Sequence, residues 1–223
     1  MSQPNLPDFD ALWDYSNPEQ TKSKFLEILP QFPEDNPARL ELLTQITRAQ
    51  GLQREFADAH LMLDEVEKQL NIDSSRARVR YLLERGRVFN SSKHPEEARP
   101  FFEQALTMAQ ELKEDFYAVD AAHMLAIVAD PASSLDWNLR AIQMAESSAD
   151  EKARGWLGSL YNNTGWSYHD TGEYEPALEI FQKAESYFGE VRREDRLRIA
   201  KWTVARCLRS MSRIDEALSK QQA

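Results

Sequence analysis

The apolar residues of this chain fall into a spacing that returns. The stretch EPALEIFQKA, residues 175–184, sets a small residue at Ala177, an aromatic at Phe181 and a second small residue at Ala184. Residues 97–106, EARPFFEQAL, repeat the pattern with Ala98, Phe102 and Ala105, and residues 58–67, DAHLMLDEVE, repeat it with Ala59, Leu63 and Val66. Near the C-terminus DEALSKQQ supplies Ala217 and Leu218. Steps of four and three residues lie on one face of an α-helix, so each stretch reads as an amphipathic helix. The anchors Ala59, Ala98, Ala177 and Ala217 are 39, 79 and 40 residues apart, and the wide gap spans two periods with a unit hidden near residue 137. There DWNLRAIQMA carries a degraded copy, Ala141 and Ile142, and the helical stretch before it, AVDAAHMLAIVAD, runs into a shortened turn at Pro131.

Each anchor helix is preceded by another with its own shared pattern. Arg85-Gly86-x-x-Phe89, Leu125-Ala126-x-x-Ala129, Thr164-Gly165-x-x-Tyr168 and Val204-Ala205-x-x-Leu208 put a small residue three before an apolar one, and Ile46-Thr47-x-x-Gln50 is a weaker first copy. Small residues let two helix backbones approach while the apolar partner fills the space beside them. The pattern predicts five helix-turn-helix units of 39 to 40 residues.

Composition supports helix nearly throughout. Six of the 10 prolines lie in the first 37 residues, and beyond them Ala, Leu, Glu, Gln and Arg outweigh the β-branched residues. Within residues 1–36, Asn17 is placed to cap a helix that starts at Pro18, with Glu19 complementing its dipole and Phe25, Leu26, Ile28 and Leu29 as its apolar stripe. Residues 1–36 therefore read as an N-terminal capping segment with one helix, and 37–223 as a domain of about five helix pairs. The last stretch, LSKQQA, either closes the array or leaves Leu218 for a neighbouring chain, which makes a homodimer an expectation to test.

The fourth unit carries a resemblance. Tyr161, Asn163, Gly165, Tyr168, Gly172, Tyr174, Ala177, Phe181 and Ala184 fall where the tetratricopeptide repeat family has its pattern residues, in the longer-period form similar to that of kinesin light chains and of bacterial helical regulators. The resemblance runs from Pro37 to the C-terminus, with departures at Arg85 and Thr164, where the family has Leu. It implies an all-α, right-handed superhelical solenoid of stacked antiparallel helix pairs. In that reading the recurring glycines, alanines and aromatics build the scaffold, with Gly172 ending a helix and Tyr174 packing the turn.

A net charge of −10 and a pI near 5.0 have the wrong sign for a nucleic-acid or anionic-membrane binder. The apolar run at 121–129 is too short to cross a bilayer, and MSQPNLPDFD lacks the basic-then-apolar order of a secretory leader. The single Cys207 suits a reducing cytoplasm, and the sequons at Asn90 and Asn162 read as chance matches. No metal, cofactor or catalytic motif is found. His60, His94, His123 and His169 are scattered, and Cys207 in a helix beside Arg206 reads as a small buried hydrophobe. The chain is not expected to be an enzyme or to need a cofactor.

The resemblance directs attention to the inner stripe of each first helix. That stripe comprises Glu41, Thr44 and Arg48; Arg80, Leu83, Arg87 and Asn90; Asp120, His123, Ile127 and Asp130; Ser159, Asn162, Trp166 and His169; and Ile199, Trp202, Arg206 and Arg209. Its five arginines outnumber its three acids in a chain that is acidic as a whole. The candidate peptide-binding residues are Arg48, Arg87, Asn90, His123, Asn162, Asn163, Trp166, His169, Trp202, Arg206 and Arg209, with Asn163 carried over from the family's backbone-contacting asparagine. Two readings stand: arginines that grip an acidic or carboxylate-bearing peptide, or arginines that pair with carboxylates of adjacent units and hold the stack together. The function expected is a scaffold or adaptor for a protein or peptide segment, and the alternative is a peptide-sensing regulatory module of a bacterial-type signalling system.

Overall fold

A computed structural model describes residues 8–34, 36–71 and 75–222, so residues 1–7 and 35 of the expected capping segment lie outside the described residues. Helix α1 spans Pro18–Ile28, between short 3-10 turns at Phe9–Leu12 and Leu29–Gln31. Helices then succeed one another as α2 (Pro37–Leu52) and α3 (Phe56–Gln69), α4 (Ser75–Ser91) and α5 (Pro95–Leu112), and α6 (Asp115–Val128) and α7 (Pro131–Ser147). A single turn, α8 (Glu151–Arg154), precedes α9 (Leu157–Asp170) and α10 (Tyr174–Glu190), then α11 (Glu194–Ser210) and α12 (Ile214–Gln222). Among the described residues there is no strand, and the fold is all-α.

The chain forms two compact units, Met1–Tyr117 and Ala118–Ala223. In the first, α1 packs on α2, α2 on α3 and α4, and α4 on α5; in the second, α7 packs on α9, α9 on α10, α10 on α11 and α11 on α12. Stacked helix pairs of the expected kind thus build each unit.

Local chemistry sets the helix ends. Asn17 caps α1 by accepting the Gln20 N–H, with Pro18 in the first turn, and Asn36 caps α2 by accepting from the Ala38 N–H at 2.9 Å. Four of the turns within pairs close on one left-handed residue, at Arg54, Lys93, Gly172 and Ser212, and these positions are again 39, 79 and 40 residues apart. Each is followed by an N–H reaching back to a carbonyl near the end of the preceding helix: Glu55 to Gln50, His94 to Phe89, Glu173 to Tyr168 and Arg213 to Leu208, all at 2.9 Å. The third pair departs from this. Only Ala129 and Asp130 separate α6 from α7, and the Asp130 carboxylate accepts from the Ser133 N–H at 3.0 Å, the shortened turn that the sequence predicts.

Packing explains the period. The anchors Ala59, Leu63, Val66, Ala98, Phe102, Ala105, Ala177, Phe181 and Ala184 are buried at 0–1% exposure. A Cβ placed on Gly86 would stand 2.5 Å from the Phe102 ring, and one on Gly165 would stand 2.5 Å from the Phe181 ring. The small residue of the first helix therefore makes room for the aromatic of the second, a relation that recurs two units apart. One core cluster of the first unit is Phe9, Phe25, Ala38, Leu42 and Ile46, and one of the second is Ala177, Leu178, Phe181, Val204, Cys207, Leu208 and Ala217. One expectation about α1 shifts: Leu26 is 46% exposed, and Phe9, outside the predicted stripe, is buried in the core.

Candidate functional site

The predicted inner-stripe residues fall into two groups. In the first unit they are engaged within the protein. Glu41 and Thr44, expected on an open face, are buried, and the Thr44 hydroxyl donates to the Glu41 carbonyl at 2.6 Å. Arg48 on α2 and Arg87 on α4 both donate to Glu84 Oε1, at 3.2 and 2.5 Å, and the Glu84 side chain is only 5% exposed. Arg80 Nε lies 3.2 Å from Glu41 Oε2, and its two Nη groups donate to Asp10. Asn90 is half-buried near the end of α4. The Arg48–Glu84 and Arg80–Glu41 pairs join α2 to α4, so Arg48 and Arg80 hold neighbouring helix pairs together, while Arg87–Glu84 lies within α4. Burial raises the Glu41 carboxyl above the ordinary carboxylate range, against the pull of Arg80.

In the second unit α9 and α11 present a different face. Trp166, on α9, packs edge-on against Phe181 with ring centroids 5.2 Å apart, which anchors it on the core beneath. Its ring also lies 5.0 Å from His169 and 6.4 Å from Trp202 on α11. His169 Nε2 and the Ser210 hydroxyl share a hydrogen bond at 2.9 Å, a second link between α9 and α11. Trp202 is 49% exposed and Ile199, one turn before it, is 52% exposed. Arg206 and Arg209 follow on the same helix, both exposed, and neither has an ion pair among the described residues. Asn163 is exposed and Asn162 half-buried one turn before Trp166. Asp170, 76% exposed, is the nearest acid along α9, its carboxylate 3.6 Å from His169 Nδ1.

The structure therefore brings Trp166, His169 and Trp202 together, with Arg206 and Arg209 further along α11. Arg48 and Arg87 meet at Glu84 instead, and His123 packs its ring 5.3 Å from Trp156. Asp120, expected on the inner stripe, is buried. Two guanidinium groups with no ion pair among the described residues, on the helix of exposed Trp202 and Ile199, can recognise a carboxylate next to an apolar group. Cys207 lies beneath the face, fully buried, and burial pushes its thiol up, so it acts as core. Among the described residues no group of three His, Cys, Asp or Glu is placed to hold a metal ion, and no helix is long and apolar enough to cross a membrane.

Repeated antiparallel helix pairs define an α-helical repeat protein. The tetratricopeptide repeat family matches residues 79–112, on α4 and α5, and 158–188, on α9 and α10. These two stretches are tetratricopeptide repeats, and the chain has the fold of that family. No curated protein sequence matches it. Among solved structures, BtubC (BKLC) from P. vanneervenii is similar with a TM-score of 0.69 at 11% identity, over 96% of this chain and 88% of that one. The apo form of RapI is similar at 0.73 and 15% identity, over 95% of this chain and 62% of RapI. The apo form of the quorum sensor NprR from B. thuringiensis is similar at 0.65 and 14% identity, over 96% of this chain and 58% of NprR. NprR in complex with its cognate peptide NprX is similar at 0.53. This chain spans less than two thirds of RapI or NprR, and likeness at these identities shows the fold alone.

Proposed function

We propose that the chain is a non-catalytic protein-interaction scaffold whose α9–α11 face binds an extended segment of a partner protein. Acidic side chains of that segment would pair with Arg206 and Arg209, and its apolar side chains would lie on Ile199, Trp202 and Trp166. The observation that carries this reading is the contrast between units: Arg48, Arg80 and Arg87 have carboxylate partners, whereas Arg206 and Arg209 stand exposed on the helix of Trp202 with no ion pair among the described residues. Arginines of the first kind, buried or half-buried against carboxylates, are engaged within the protein; those of the second kind are available to a ligand. Asn163, exposed on α9, is suited to contact the ligand's backbone.

A narrower reading, a peptide-sensing regulatory module, draws support from the likeness to RapI and to NprR, which has been seen with a peptide. The two readings differ in ligand size. Fluorescence-labelled acidic peptides with and without an aromatic residue, titrated into wild type and into an Arg206→Ala/Arg209→Ala variant, test the face. Loss of at least about tenfold in affinity on the double substitution is expected, roughly one charge-assisted contact. Equal affinity in both proteins would sink the proposal for this face.

A further inference from the structure

Residues 8–16, DFDALWDYS, lie against the faces of α2 and α4 that the sequence marks as ligand-facing. The Asp10 carboxylate takes both Nη groups of Arg80, at 3.1 and 2.7 Å, across 70 residues of chain. The indole N–H of Trp13 donates to Gln45 Oε1 at 2.9 Å, and the Trp13 ring stacks on Tyr15 with centroids 4.9 Å apart. The Arg48 guanidinium sits 5.9 Å from the Trp13 ring and 5.5 Å from the Tyr15 ring. A two-pronged carboxylate pair, a directed indole hydrogen bond and an arginine against aromatic rings are the contacts by which a groove reads a short peptide. The two helices of a pair in the same unit are held differently, by close apolar packing such as Phe102 on Gly86.

The segment's own burial agrees. Phe9 is fully buried and half-buried Trp13 packs edge-on against Phe25 with centroids 5.5 Å apart, yet Leu12 is 45% and Tyr15 60% exposed, so two aromatics anchor the segment and polar contacts set its course. On the receiving side Arg80 is 5% exposed, and among the described helical residues its ion pair is with Glu41. Without Asp10 the two Nη groups of a buried guanidinium lose their carboxylate, an expensive loss in a dry site. The face therefore requires a carboxylate, whichever chain supplies it.

We propose that the α2–α4 face is a receptor for a short segment bearing a carboxylate and an indole three residues apart, and that residues 8–16 are its resident occupant, displaceable by a partner segment of the same chemistry. This site is separate from the α9–α11 face and stands or falls without it. Tethering gives the occupant a high effective concentration, in the millimolar range for a short linker, so a free competitor meets a largely closed face.

The test is a titration of labelled peptide DFDALWDYS into the whole chain. Wild type is expected to bind weakly. An Asp10→Ala/Trp13→Ala variant, which keeps the Phe9 anchor, is expected to bind at least tenfold more tightly, and adding Arg80→Gln or Arg48→Gln to it should abolish the gain. Adding Arg206→Ala/Arg209→Ala instead should leave the gain intact, which separates this site from the one proposed above. No gain in the Asp10→Ala/Trp13→Ala variant, or a gain that survives Arg80→Gln and Arg48→Gln but not Arg206→Ala/Arg209→Ala, overturns the proposal. Should that variant fail to fold, hydrogen exchange on wild type decides. The amides of residues 9–16 should open at least a hundredfold more often than those of α2, whereas opening together with α2 would make the segment plain core.

Discussion

At the residue scale two glycines do opposite jobs, and the difference can be measured. Gly172 has φ +83° with no atom within 4 Å of an added Cβ, so only its backbone conformation needs glycine. Gly172→Ala should cost about 1 kcal/mol through the left-handed turn alone. Gly165 lies in helix α9, and an added Cβ there would meet the Phe181 ring. Gly165→Ala should cost about 1–3 kcal/mol through overpacking. The two causes separate in a cycle with Phe181→Leu, read by urea unfolding. The cost of Gly165→Ala should fall when the ring is removed, and that of Gly172→Ala should not. Lys93 and Arg54 occupy turn positions equivalent to Gly172 with side chains attached, so the recurrent turn tolerates the strain that glycine avoids.

At the element scale ion pairs join α2 to α4, and one carboxyl among them is shifted. The Glu41 carboxyl is raised in the folded protein, first by burial and against the attraction of Arg80. A raised carboxyl binds its proton more tightly folded than unfolded. Its contribution to stability is therefore full below the ordinary glutamate value of 4.5 and is lost as pH rises through the higher folded value. Glu41→Gln should flatten that part of the stability-versus-pH curve above pH 4.5, as followed by thermal melts across pH. A variant with an unchanged slope would mean that Arg80 fully offsets the burial.

At the scale of the molecule, each unit has an apolar core of its own, around Phe25 in the first and Phe181 in the second. Truncating either ring should cost about 3–5 kcal/mol. In a repeat protein each helix pair is held by its neighbours, so the loss is expected where the ring sat. Hydrogen exchange should show Phe25→Ala loosening α1 and α2 first, and Phe181→Ala loosening α9, α10 and α11 first. Uniform loosening of both units by either change would contradict this.

What could be read from the chain alone was whatever repeats at short range. The spacing of Ala98, Phe102 and Ala105 and of their copies, the small residues at Gly86 and Gly165, the cap at Asn17 and the short turn before Pro131 all depend on neighbours within one or two helical turns or one helix pair. Helix, turn and pairing are set by such contacts, so the all-α repeat fold was legible. The aromatic and arginine residues of α9 and α11 were also named from their register. Which arginines are spent and which are open was a different matter. Arg48 meets Glu84 36 residues away, Arg80 meets Asp10 70 away and Trp13 meets Gln45 32 away, and no local pattern encodes such meetings. Net charge and stripe position are alike for Arg48 and Arg206; only the folded chain brings a carboxylate and two aromatic rings to the first and leaves the second in water.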